Sequence, residues 1–456
     1  MALGPRLPPE LIGLIIDASE DSFHTLLQLS LVSKQCVGHA RKYIFEDIQL
    51  GHHPRHHTRQ TSPTESSDED ALEMGRIETF ISLLDENEAL AAHVRILAVV
   101  LTPLFLTDLE EAFVRAFPRI LRHLRRLTSL TLYGPWFHYN WEVMPPEIKE
   151  AIAETCSGPY IDSLDFSDFS NFPVHLLTSS ATLKEVTIAN VSIPGEHGET
   201  PTASKDGPTL QMIPIGQSSP RLTHLASLCA SSVIQHWLLV DPKPFSTLES
   251  IRWVVRRQSD WDVFQRVAEL CKDTLQKLSL HLTSIEDAVI DLGATSPLPR
   301  VKDLALFAHP PAEFGRHHIR CSGNDIILTR DVLRRSQGGL DFLSMNITIQ
   351  SSTLAFDDST GILQDLDVWK SLDEYLSNSK TDAATPLLAK LTVSIIYYIT
   401  CTTRAEPEGQ DQKVKDRLSK ELTDALALSV EAKKVSIDVV LTKHNLHHTH
   451  GPSDES

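Results

Sequence analysis

Three stretches decide how the fold is read: TLESIRW (247–253), TLQKLSL (274–280) and RVKDLAL (300–306). Each places an apolar residue, two others, a second apolar residue, one other, and a third: Leu248-Ile251-Trp253, Leu275-Leu278-Leu280 and Val301-Leu304-Leu306. The last two alternate, so both point to one face of a strand, while the first sits at the bend entering it. The arrangement recurs at Leu183-Val186-Ile188, Leu222-Leu225, Leu340-Leu343-Met345 and Leu388-Leu391-Val393. In a chain with 41% hydrophobic residues the bare pattern is common, so its spacing carries the argument. The middle anchors Leu225, Ile251, Leu278 and Leu304 lie 26, 27 and 26 residues apart. Lead-ins recur as well: Thr182-Leu183, Thr247-Leu248 and Thr274-Leu275, against Pro220-Arg221-Leu222 and Pro299-Arg300-Val301. Between Trp253 and Leu275, the residues Val263, Val267, Leu270 and Cys271 fall on one side of a helix.

A strand, a loop and a helix in each such unit resembles the leucine-rich repeat, whose period is roughly 20–29 residues. Two features depart from the regular pattern. The Asn or Cys that usually follows the strand is replaced by Thr283 and His309. The anchor spacing also widens to 39 residues from Val186 to Leu225, across the polar Pro194–Pro208 loop, and to 48 from Leu343 to Leu391. The expected fold class is therefore α/β: an irregular leucine-rich-repeat-like α/β solenoid over residues 76–443, with a doubly wound sheet as the alternative. Earlier strands are expected at Val94-Leu97-Val99, Leu127-Leu130-Leu132 and Ile161-Leu164-Phe166. Helical stripes run through Ile77-Phe80-Ile81-Leu84, through Leu109 to Phe117 with an interruption at Pro118, and through Ile148-Ile152-Cys156 after Pro145-Pro146. A helix over 412–429 carries Val414, Leu418, Leu422, Ala425 and Leu426, and Val435, Ile437, Val439 and Leu441 alternate as a closing strand.

Outward from these repeats, the N-terminus reads LPPELIGLIIDASEDSFHTLLQLSLVSKQCVGHARKYIF (7–45). Pro8 and Pro9 precede Glu10, and proline at a first helical turn loses no useful donor. Leu11, Leu14, Ile15 and Ala18 form one stripe, Leu26 and Leu29 to Val32 a second short helix, and Ser33 is placed to cap a third. Three helices in about forty residues bury too little core to stand alone. The stretch resembles an F-box, the motif that docks a substrate receptor onto the Skp-type adaptor of a cullin–RING ubiquitin ligase. The resemblance rests on Leu7-Pro8-Pro9-Glu10-Leu11-Ile12, Leu14-Ile15-Ile16 and Leu29-Ser30-Leu31-Val32-Ser33-Lys34. The aromatic that commonly follows the last element is replaced near Cys36 and Val37, and Arg41 to Phe45 with Ile48-Gln49-Leu50 is similar to the ending of fungal members. It implies that Leu7, Pro8, Leu11, Ile15, Leu29 and Val32 help dock the adaptor and, through it, cullin. An ordinary helical cap on an α/β domain is the other reading.

The chain of 456 residues is long enough for two or three domains or one elongated repeat array. Its formal net charge of −18 argues against a general nucleic-acid binder, which needs a concentrated basic face. Cys36, Cys156, Cys229, Cys271, Cys321 and Cys401 are scattered with no Cys-x-x-Cys, which fits reduced thiols in a cytoplasmic or nuclear protein better than a disulfide framework. No secretory signal or apolar run of about 20 residues is present, so no membrane association is expected. The domain reading is an F-box-like helical domain at 1–50, a His/Ser/acidic linker at 51–75, the repeat region at 76–443 and a polar tail at 444–456. The histidines at 52, 53, 56 and 57 read as solvated linker, not as a metal site, and Ser62, Ser66 and Ser67 stand beside proline or acidic residues that direct phosphorylation.

No catalytic motif is found: Gly-x-Ser-x-Gly, a P-loop, Gly-x-Gly-x-x-Gly and His-Glu-x-x-His are all missing, and no cofactor or metal is expected. The aromatic run Trp136-Phe137-His138-Tyr139-Asn140-Trp141 follows a strand in a loop opened by Gly134-Pro135. Trp136 and Trp141 are candidate contacts to a target protein, with packing as the competing role. The function expected is a non-catalytic substrate receptor of an SCF-type ligase, holding a target through its repeats. A non-ligase interaction scaffold is the alternative, and an enzyme on an α/β fold comes third.

Overall fold

The computed structural model describes residues 7–51, 63–101, 109–134, 139–195, 219–283, 298–309, 342–351, 366–378, 388–400, 410–431 and 435–446. It is a mixed α/β protein whose sheets are mostly parallel. The chain packs as two compact units, Met1–Leu222 with Leu239–Pro244, and Thr223–Leu238 with Phe245–Ser456.

The first unit opens with helices α1 (Pro9–Asp17), α2 (Phe23–Val32) and α3 (Lys34–Ile44), and α3 leads within three residues into strand β1 (Asp47–Leu50). There follow α4 (Pro63–Glu86), α5 (Glu88–Ala91), β2 (Ile96–Val100), α6 (Leu109–His123), β3 (Ser129–Tyr133), β4 (Tyr139–Asn140) and α7 (Pro146–Cys156). The unit continues through β5 (Ser163–Ser167), β6 (Phe169–Ser170), α8 (His175–Thr178) and β7 (Glu185–Ala189). Strands β1, β2, β3, β5 and β7 pair in chain order, all parallel, and β4 pairs with β6 beside them.

The register places the apolar anchors in rows. Leu97, Leu130, Leu164 and Val186 are mutual partners, as are Val99, Leu132, Phe166 and Ile188, and all eight are buried. Intervening positions such as Ser129, Thr131 and Tyr133 are half-buried, so the face that carries the anchors is the more deeply packed of the two. A doubly wound sheet reverses strand order at a switch point, whereas the described strands of this unit pair in chain order throughout.

The second unit repeats the scheme with β8 (His224–Leu228), α9 (Ser231–Val240), β9 (Ser250–Val255), α10 (Gln258–Cys271), β10 (Lys277–Thr283), β11 (Asp303–His309), β12 (Phe342–Ser351), β13 (Leu388–Thr400) and β14 (Val435–Leu446). These strands are again parallel and neighbours in chain order. Leu225, Ile251, Leu278, Leu304 and Leu343 share one row, and the lead-in residues Leu248, Leu275 and Val301 are buried where each chain segment turns into its strand. In α10, Val263, Val267 and Cys271 are buried as the spacing requires, while Leu270 lies at the rim.

Four expectations differ from what is seen. Helix α6 runs through Pro118 instead of stopping there, because Phe117, Ile120, Leu121 and Leu124 are all buried around the break. That burial exceeds the roughly 3 kcal/mol a mid-helix proline costs. Helix α4 begins at Pro63, inside the expected linker, so residues 63–75 are helical. A proline at the first helical position, with Glu65, Asp68 and Glu69 near the positive helix end, favours that start. At β13 the row partner of Leu343 is Ala389, with Leu391 opposite Met345, a displacement of two residues from the expected alignment. Strand β14 extends to Leu446, taking residues 444–446 from the expected tail into the sheet.

Candidate functional site

The three N-terminal helices enclose a small core of Ile16, Leu26, Cys36 and Ala40, with Ile12, Leu29, Tyr43 and Ile44 packed against it. Local chemistry fixes each helix start. Pro8 and Pro9 open α1, the Ser22 hydroxyl accepts the Thr25 N–H, and the Ser33 hydroxyl accepts the Cys36 N–H at 3.3 Å. Ser33 thus takes the capping role expected of it. The Tyr43 hydroxyl donates to the Asp17 carboxylate at 2.7 Å, tying α3 to the end of α1. That hydrogen bond, with burial and the negative charges of Asp17, Glu20 and Glu46, pushes the Tyr43 hydroxyl up to about 12. His39 lies over Gly13 of α1, its Nε2 3.4 Å from where a Cβ would stand, which is ordinary contact.

The faces turned away from this core are apolar and open. Leu7 is 56% exposed, Leu11 and Ile15 45% each, and Val32 72%, with Pro8 exposed beside them. Leu29 differs from the other five candidates: it is half-buried on the small core, so packing is its role. The structure adds Leu14, Phe23, Leu27 and Leu31, the last 81% exposed. Their signal was present in the sequence, because Phe23, Leu27 and Leu31 stand at i, i+4 and i+8 and line one face of α2, just as Leu11 and Leu14 or Ile15 do along α1. The inward positions on α1 are Ile12 and Ile16. Isolated exposed apolar residues are ordinary, but a run of them along each of two short helices on one small core marks a candidate interaction surface.

The second candidate region resolves differently. Trp141 is buried, meeting Phe169 and Phe172 edge-on at 5.8 and 5.6 Å, so it is a packing residue and not an exposed target contact. Trp136 lies outside the described residues, as do the histidines at 52, 53, 56 and 57. Ser66 and Ser67 fall within α4, and Ser62 lies outside the described residues. The cysteines described (Cys36, Cys156, Cys229, Cys271) are unpaired, and burial pushes the Cys156 and Cys271 thiols up to about 12. Among the described residues no helix is long and apolar enough to cross a membrane, and no group of three or more His, Cys, Asp or Glu is placed to hold a metal.

The sequence matches no protein-family model and no curated protein.

Proposed function

We propose that the chain is a non-catalytic substrate receptor of an SCF-type cullin–RING ubiquitin ligase. In this reading α1 to α3 form an F-box that docks a Skp-type adaptor. The downstream strands and helices form an irregular leucine-rich-repeat-like solenoid that holds a target protein. The observation that carries it is the number of exposed apolar side chains at α1 and α2: Leu7, Leu11, Leu14 and Ile15 at the first, Phe23, Leu27, Leu31 and Val32 on the second. Side chains of that kind on so small a core need a partner to leave water. The solenoid reading is supported by parallel strands in chain order and by buried lead-ins at 26- and 27-residue intervals.

The test is co-purification with a Skp-type adaptor, comparing the native chain with the triple variant Leu7→Asp/Pro8→Ala/Leu11→Asp. These side chains are exposed, so the variant is expected to keep its circular dichroism and lose adaptor recovery at least tenfold. Equal recovery of both proteins would sink the reading. A non-ligase scaffold is favoured by one observation: the Glu46 carbonyl accepts the Arg95 and Ile96 N–H groups, which joins the helical region to the sheet as a cap would be joined.

A further inference from the structure

A cavity of about 690 Å³ opens on the helical side of the first unit, between the C-terminal ends of α6 and α7 and the segment that enters β5. We infer that it is a binding site for an acidic peptide segment that carries an apolar side chain between its carboxylates. The floor is apolar and buried, made by Leu124, Leu127 and Ile161. The rim carries Arg122, Arg125 and Arg126, all exposed, with Tyr160 53% exposed on the facing segment. One acid, Glu154, stands on the same rim.

Three arginines at one opening are conspicuous in a chain of net charge −18. None of the three guanidinium groups makes an ion pair or hydrogen bond among the described residues, whereas neighbouring Arg119 and His123 share Asp85 at 2.7 and 3.0 Å. Their positions are not explained by completing the helix end. The carbonyls of Ile120, Leu121, His123 and Leu124 already accept backbone N–H groups from Leu124, Arg125 and Leu127. At the end of α7 the Ala153 and Thr155 carbonyls accept from Ser157 and Gly158. The guanidiniums are therefore left to face a ligand, and their fixed forks match carboxylates. The volume lies within the range that takes a side chain cluster or small ligand, and the buried floor gives an apolar residue somewhere to go. An acidic strip with a central Leu or Phe satisfies both parts at once. The site does not depend on what the N-terminal helices dock.

The experiment measures fluorescence anisotropy of a short labelled peptide alternating Asp and Glu around a central Leu, titrated with the full chain. Micromolar binding that weakens as salt rises is expected, with the isosteric Asn/Gln peptide at least tenfold weaker. The triple variant Arg122→Ser/Arg125→Ser/Arg126→Ser should melt with the native chain and bind the acidic peptide at least tenfold more weakly. Glu154→Gln should tighten binding twofold or more. Equal affinity for the neutral peptide, or unchanged binding by the triple variant, overturns the assignment. Binding of a phosphoserine version alone, with the Asp/Glu peptide silent, overturns the carboxylate specificity.

Discussion

Asp260 shows how one carboxylate can tie several segments together. In the first turn of α10 it accepts the Arg256 and Arg257 N–H groups at 2.9 and 3.0 Å and the Ser231 hydroxyl. Its own carbonyl accepts the Trp253 indole N–H at 3.2 Å, so the strand, the loop and two helix starts share one buried residue. Asp260→Ala is expected to cost about 1–3 kcal/mol, because it leaves three part-buried donors without their acceptor, and Asp260→Asn less; urea denaturation gives the values. The strand exits add their own constraint. Gly51, Asp168, Asn190 and Cys229, each one residue past a strand, have φ between 52° and 86°, a region that favours Gly, Asn and Asp. His93 supplies a pH dependence. Burial, then the charges of Arg95, Arg41 and Lys42, hold its imidazole below the usual value. Below the ordinary histidine pKa the unfolded chain takes up a proton that the folded chain resists, so stability falls as pH drops through that range. Melting at pH 7.5 and 5.5 should show a smaller loss for His93→Gln than for the native chain.

Among the elements, β1 changes where the helical region can be separated from the rest. The expected boundary at residue 50 falls at the end of β1 and so assigns to the helical region a strand whose Ile48 and Leu50 are partnered with Leu97 and Val99. Deletion of residues 1–45 should leave β1 on its sheet and yield a monodisperse protein by size-exclusion chromatography. Deletion of 1–50 should bare the edge of β2 and give aggregates, since an unpaired parallel edge recruits other chains. Strand positions were legible because the lead-in and the alternating pair form a three-point signal, and Leu183, Leu222, Leu248, Leu275 and Val301 are each buried where that signal put them. Helix ends were less so. Pro118 carries a local stop that its buried neighbours override, and residues 63–75 have the composition of a linker but the end charges of a helix.

For the whole molecule, the α/β character and the chain-order pairing within each unit follow from the repeat spacing alone. The candidate surface was half legible. Leu7, Leu11, Ile15 and Val32 could be named from a resemblance, but periodicity does not say which of two apolar stripes on a helix faces inward, and that hid Phe23, Leu27 and Leu31. The rim of Arg122, Arg125 and Arg126 was invisible for another reason: the facing Tyr160 is brought beside it only by the turn after α7. The two-residue displacement between β12 and β13 bears on how such a chain can diverge. A slip of two preserves both the ladder of hydrogen bonds and the alternation of the strand, so Leu391 takes Met345 as its register partner in place of Leu343. Parity, not length, is then what a strand here conserves: insertions or deletions of even length are silent in the sheet, and odd ones turn it inside out.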